Sequence, residues 1–110
     1  MTVGVLALLD GDGPARGLAA GFEEEGVPLT VERRSGEAFA LAREAARLSP
    51  LGLGVGADAA RLVLVLAAAP GRPYLTETPG QARAFGHAAA RLAAGRPLAR
   101  REDEASLALA

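Results

Sequence analysis

The stretch Leu51–Ala67 reads LGLGVGADAARLVLVLA, and its spacing decides the fold. Leu51 to Gly56 is a short apolar run threaded with glycine, and Arg61 to Ala67 is a strongly apolar one. Each has the length and apolar content of a buried strand. The link between them is only Ala57-Asp58-Ala59-Ala60. A parallel crossover needs about a dozen residues or more, so these two strands must be antiparallel neighbours.

Upstream, the pattern is different. Val3 to Leu9 is an apolar strand closed by Asp10-Gly11-Asp12-Gly13. Pro14 suits the start of a helix, where a missing N–H is harmless. Ala15, Leu18, Ala19 and Phe22 then recur at helical spacing, and Gly26 fits a left-handed stop. Val27 to Arg33 reads as a second strand. Ser35 is a candidate cap for a helix carrying Phe39, Ala42 and Ala46, which ends before Ser49-Pro50. The order β-α-β-α-β predicts parallel strands with right-handed crossovers. Joined to the antiparallel fourth strand, it predicts a mixed, mostly parallel sheet of four to five strands in an α/β fold.

Downstream, Pro70-Gly71-Arg72-Pro73 turns the chain, and Tyr74 to Thr76 can add a fifth strand. Thr78-Pro79-Gly80-Gln81 opens a last helix with a capping Thr, an early Pro and a Gln three residues after the cap. Ala82, Phe85, Ala89 and Leu92 form its inward stripe, and Gly95 and Pro97 end it. Residues 1–99 therefore read as one α/β domain. Residues 100–110, charged first and then weakly apolar, read as a flexible C-terminal tail.

Composition narrows the chemistry. Half of the 110 residues are hydrophobic and only 4% are aromatic, so the core must be built from Leu, Val and Ala. The net charge of −1 supplies no field for nucleic acid or an anionic membrane. The basic residues are all arginine and are scattered. With no cysteine, thiolate catalysis, thiolate metal sites and disulfides are excluded. No apolar run approaches the roughly 20 residues that span a bilayer. The opening MTVGVLALLDGDG lacks the basic start of a secretory signal, so the expected location is the cytoplasm, a bacterial microcompartment included.

Four groups of residues are candidates for function. The loop Gly11-Asp12-Gly13-Pro14-Ala15-Arg16-Gly17, with Glu32 about 20 residues further on, superficially resembles a dinucleotide fingerprint. Its last spacing is one residue too long, and Asp10 and Asp12 would face phosphate charge. A nucleotide- or dinucleotide-binding module using Gly11, Gly13, Gly17 and Glu32 is the alternative reading. His87, the single histidine, lies four residues from both Arg83 and Arg91, which predicts a solvated polar face. Ser35, Ser49 and Ser106 sit in no nucleophile motif, so no catalytic residue is expected.

The fourth group breaks a local rule. In Gly21-Phe22-Glu23-Glu24-Glu25-Gly26-Val27-Pro28, three carboxylates occupy the negative end of a helix dipole. Each is disfavoured there by about 0.3–1 kcal/mol, besides their mutual repulsion. Either water solvates them or an outside positive group offsets the cost. Their side chains point about 100° apart, so one or two at most can reach the same partner.

The segments LLDGDG, GFEEEGVPLTVE, ARLSPLGLGVGAD and AARLAAGRPLA, in this order, resemble the small subunit of diol and glycerol dehydratase reactivating factors. The resemblance covers most of Leu8 to Leu98, and EEEGVP is its most specific part. It implies a three-layer α/β/α domain with strand order 2-1-3-4-5 and strand four antiparallel. It also implies a non-catalytic subunit without a cofactor of its own, paired with a large ATPase subunit as an α2β2 assembly. ATP or ADP would sit on that partner. The complex would exchange damaged cobalamin from an adenosylcobalamin-dependent dehydratase by trading places with the dehydratase's medium subunit. By position, Glu24 would reach a magnesium ion held by the large subunit, with Glu23 and Glu25 beside it at the interface. The segment from Ala57 to Pro73 departs from the family in its scarcity of polar and aromatic residues.

Overall fold

The computed structural model describes residues 4–95. In chain order it comprises β1 (Val5–Leu9), α1 (Ala15–Glu24), β2 (Leu29–Arg33), α2 (Ala38–Leu48), β3 (Leu53–Ala57), β4 (Leu62–Leu66), β5 (Leu75–Glu77), a 3-10 turn (Pro79–Gln81) and α3 (Ala82–Ala93). The sheet order is β2-β1-β3-β4-β5. β1 runs parallel to β2 and β3, whereas β4 runs antiparallel to β3 and β5. The mixed sheet and its order are as the spacing and the family resemblance imply. The region 100–110, Pro97 and Ser106 lie outside the described residues.

One face of the sheet carries α1 and α3. Their Leu18, Phe22 and Phe85 pack on Val5, Ala7, Leu9, Val55, Leu62 and Leu64. The other face carries α2, whose Ala38, Ala42 and Ala46 meet Val63 and Val65, while Leu41 and Ala45 meet Leu8. Small residues set the distance of this second layer. A Cβ added at Gly54 would lie 2.0 Å from the backbone nitrogen of Ala46, and one at Gly56 would lie 2.2 Å from the carbonyl oxygen of Ala38. The α2 backbone therefore rests directly on β3. An alanine-rich helix against a glycine-bearing strand fills most of this layer, with Phe39 packed against it as the one aromatic among the residues of α2.

The β3–β4 turn is tied to the start of α2. Asp58 Oδ1 accepts from the N–H groups of Ala60 and Arg61 at 2.8 and 3.0 Å, closing the turn. Its Oδ2 accepts from Ala38 N–H at 2.8 Å. Glu37 accepts from Phe39 and Ala40 N–H at 2.9 and 3.1 Å and pairs with Arg61 at 2.6 Å. These carboxylates satisfy the first N–H groups of α2, so Glu37, not Ser35, is its cap. Thr78 also differs from expectation, since its side chain makes no capping bond and the chain closes a 3-10 turn before α3 begins.

Strand bounds shift by a residue or two for local reasons. β3 starts at Leu53 because Gly52, at φ +70°, still belongs to a turn closed onto Ser49 O at 3.0 Å. The stop at Gly26 is as expected. Its φ is +74°, and Val27 N–H returns to Phe22 O at 3.1 Å.

Candidate functional site

Helices α1 and α3 run in the same direction and touch along glycines. A Cβ on Gly21 would stand 2.4 Å from Arg83 O and 2.7 Å from His87 N, and one on Gly86 would stand 2.8 Å from Leu18 O. Only bare backbone permits this approach. It places the end of α1, with its three glutamates, against the middle of α3.

Arg83, His87 and Arg91 recur every four residues on the α3 face that receives them. Glu24 Oε1 accepts from Arg83 Nε at 3.1 Å and lies 2.5 Å from His87 Nε2, while its Oε2 is paired with the same guanidinium. Glu25 Oε2 lies 2.8 Å from His87 Nδ1, and Arg91 Nη1 donates to both Glu25 oxygens at 2.9 and 3.1 Å. The Glu25 side chain is just 10% exposed and that of Glu24 is 38% exposed.

These contacts show in the acidities. The Arg83 hydrogen bond, against the opposing effect of burial and helped by His87, holds Glu24 below the usual carboxylate range. The His87 bond, again against burial and helped by Arg91, does the same for Glu25. Glu24 in turn raises the pKa of Arg83.

Two expectations are thereby corrected. His87 does not lie on a merely solvated face; it bridges two carboxylates. The charge that relieves the helix end also comes from α3 of the same chain, a source that local reasoning about α1 could not identify. The repeat of Arg83, His87 and Arg91 at i, i+4 and i+8 was the available signal. Glu23 is different. It is exposed and makes no ion pair with the described residues.

The dinucleotide-like loop is put to structural use. Asp10 Oδ2 accepts from Gly36 N–H at 3.0 Å, and Asp12 pairs with Arg33. Gly17 lies within α1 and faces Ala82, where a Cβ would come within 2.8 Å of the alanine's own. Glu32 is exposed on β2, 3.9 Å from Arg34. Two carboxylates thus occupy the mouth where pyrophosphate charge would have to enter. Of the serines, Ser49 is buried and its hydroxyl donates to Gly4 O at 3.3 Å.

The residues 4–99 match the family described as dehydratase medium subunit. The chain belongs to that family. It is 37% identical over 108 residues to the diol dehydratase-reactivating factor small subunit of Klebsiella michiganensis, across 92% of this chain and 86% of that one. Two solved structures have the same fold. A glycerol dehydratase reactivase chain superposes with a TM-score of 0.79 at 33% identity, over 90% of this chain and 98% of that one. A chain of diol dehydratase-reactivating factor complexed with ADP and Mg2+ gives the same score and identity, over 91% and 99%.

Among the described residues no three or more His, Asp or Glu side chains converge to hold a metal ion. Glu24 nevertheless has the donor chemistry that magnesium prefers, a carboxylate oxygen partly open to solvent. Its Oε1 meets both Arg83 and His87, whereas Oε2 meets only the Arg83 guanidinium, which leaves that oxygen a lone pair for an ion. The residues fit a single ligand donated to an ion held elsewhere.

Proposed function

We propose that this chain is the small, non-catalytic subunit of a reactivating factor for an adenosylcobalamin-dependent diol or glycerol dehydratase. It would pair with a large ATPase subunit, in an α2β2 assembly, and help exchange damaged cobalamin by trading places with the dehydratase's medium subunit. ATP and ADP belong to the large subunit on this reading, and the magnesium is shared. The observation that carries the proposal is 37% identity to a reactivating-factor small subunit over 92% of this chain and 86% of that one.

This chain's own work would be occupancy of a surface. The close glycine contact of α1 on α3 gives a rigid platform, and the ion pairs to α3 hold the Glu24 carboxylate in a defined place at its edge. An oxygen of Glu24 would serve as one ligand to a magnesium ion held by the large subunit, which would supply the positive charge that this helix end favours. The ion pair with Arg83 and the contact with His87 keep Glu24 ionised and partnered until then, so that in the free subunit Glu23 alone of the triple lacks a partner on α3.

The test pairs two measurements. The chain is mixed with the large subunit, and recovery of an inactivated dehydratase is followed with and without it. Recovery only when both subunits are present is the expected result; recovery by the large subunit alone would refute the role. The Glu24 assignment is tested separately by magnesium-dependent calorimetry with Glu24→Gln. Looser assembly with magnesium, at an unchanged fold, is expected. Binding equal to wild type, with and without magnesium, would show that Glu24 is not the ligand.

A further inference from the structure

The flank of α1 that faces away from α3 is open. β2 lies at the sheet edge, and every residue in it but Leu29 is exposed. Val5 N–H donates to Pro28 O and Arg34 N–H to Leu9 O, at 3.0 and 2.9 Å, in a parallel register that pairs Val5 with Leu29 and Leu9 with Arg33. Alternation then directs the backbone groups of Thr30 and Glu32 toward β1. It turns those of Leu29, Val31 and Arg33 outward, to the free edge.

Val31 shares the α1 face of the sheet with Leu29 and is 38% exposed, high for a large apolar residue in a strand. On the same flank, at the start of β2, a groove of about 390 Å³ lies between α1 and β2, lined by Ala19, Phe22, Val27 and Leu29 and by Glu23. The opposite sheet edge is built differently. β5 has three residues, with Pro73 before it and Pro79 after it, which blunts pairing. β2 is longer, five residues in regular register, with Pro28 just before it and no proline after it or within it before Ser35.

Resting on the reactivating-factor reading, we infer that β2 and the α1–β2 groove form a strand-addition site for an extended segment of the large subunit. That segment carries apolar residues at alternate positions, to fill the groove and to cover the exposed Val31, and an arginine or lysine opposite Glu23. Charge fixes the second requirement. Glu23 is the carboxylate of the triple to which α3 supplies no cation, and it stands at a helix end that favours positive charge. Pairing at Leu29, Val31 and Arg33 would satisfy the outward backbone groups, while the groove takes alternate side chains. The site adjoins Glu24, so one docked segment would carry the partner surface past the proposed magnesium ligand.

The experiment is calorimetric titration of the large subunit with the full chain and three variants: Val31→Pro, Ala19→Arg and Glu23→Lys. Val31→Pro removes an outward N–H at an edge position; the other two change exposed helix residues and should leave the melt of the free chain unaltered. Each is expected to weaken binding by about tenfold or more, the effect of losing a central interface contact. If wild type binds and Ala19→Arg and Glu23→Lys bind equally well, the strand-addition site is wrong while the assembly reading stands. If wild type does not bind at all, the assembly reading itself fails and takes the site with it. If light scattering shows that the free chain is a dimer which Ala19→Arg dissociates, while large-subunit binding is unchanged, the occupant is a second copy and the inference is overturned.

Discussion

The two flanks of helix α1 and its cap Glu25 do opposite things. Toward α3, Gly17, Gly21 and Gly86 let the backbones nearly touch, and Glu24 and Glu25 are held by Arg83, His87 and Arg91. Toward β2, Ala19 is exposed over an apolar groove, and Glu23 faces solvent without a described cation. The difference teaches how a local cost can be shared out. Helical spacing sends Glu24 and Glu25 to the side where α3 presents charge and Glu23 to the side where it does not.

The largest effect should come from breaking the closed flank. Gly21→Ala places a Cβ where Arg83 O and His87 N already stand, at 2.4 and 2.7 Å. The helices must separate, and about 2 kcal/mol of stability should be lost, more than the gain in helix propensity returns. Urea denaturation measures it directly. Ala19→Arg on the open flank is the matched control, and an equal loss there would erase the contrast between the flanks.

Glu25→Gln should come next. Its side chain is 10% exposed and serves both His87 and Arg91, so a neutral amide weakens both contacts in a partly buried place. A loss of about 1–2 kcal/mol is expected in the same denaturation experiment, within the range for charge-assisted hydrogen bonds.

Acid sharpens the comparison further. Glu25 has a folded-state pKa below its unfolded value, so its contribution is present above the unfolded pKa and fades as pH falls through the depressed one. Asp58 behaves alike: burial pushes its carboxyl up, but the N–H groups of Ala38, Ala60 and Arg61 outweigh that and hold it low. Wild-type stability should therefore decline from about pH 5 downward, and the Glu25→Gln variant should decline less steeply. Parallel curves for the two proteins would show that Glu25 carries no such linkage. The smallest effect belongs to Glu23→Gln, which removes a charge from an exposed position. The melt of the free chain should stay as it is, and a clear shift would reveal a contact that Glu23 makes within the fold.

Much of the molecule was legible in advance because it depends on short-range rules. A four-residue link can only join antiparallel strands, and β3 and β4 are so joined. Gly26 ends α1 where a left-handed residue is needed, and Phe85 and Ala89 turn inward as their spacing requires. Misreadings occurred where a side chain has a choice of partner. Ser35 is a good cap by type, but Glu37 reaches two amides and Asp58 comes from the turn across the sheet to a third.

By itself, then, the sequence determined the mixed sheet, the order of its elements and the anomaly at Glu23-Glu24-Glu25. What became of that anomaly was decided only in three dimensions. The partners of Glu24 and Glu25 lie 59 to 66 residues away, on a helix brought close by Gly21 and Gly86. Periodicity places residues on the faces of their own helix, but it carries no information about which face of another helix will lie opposite. That pairing follows from the sheet order, which seats α1 and α3 side by side on one face and leaves β2 at the edge.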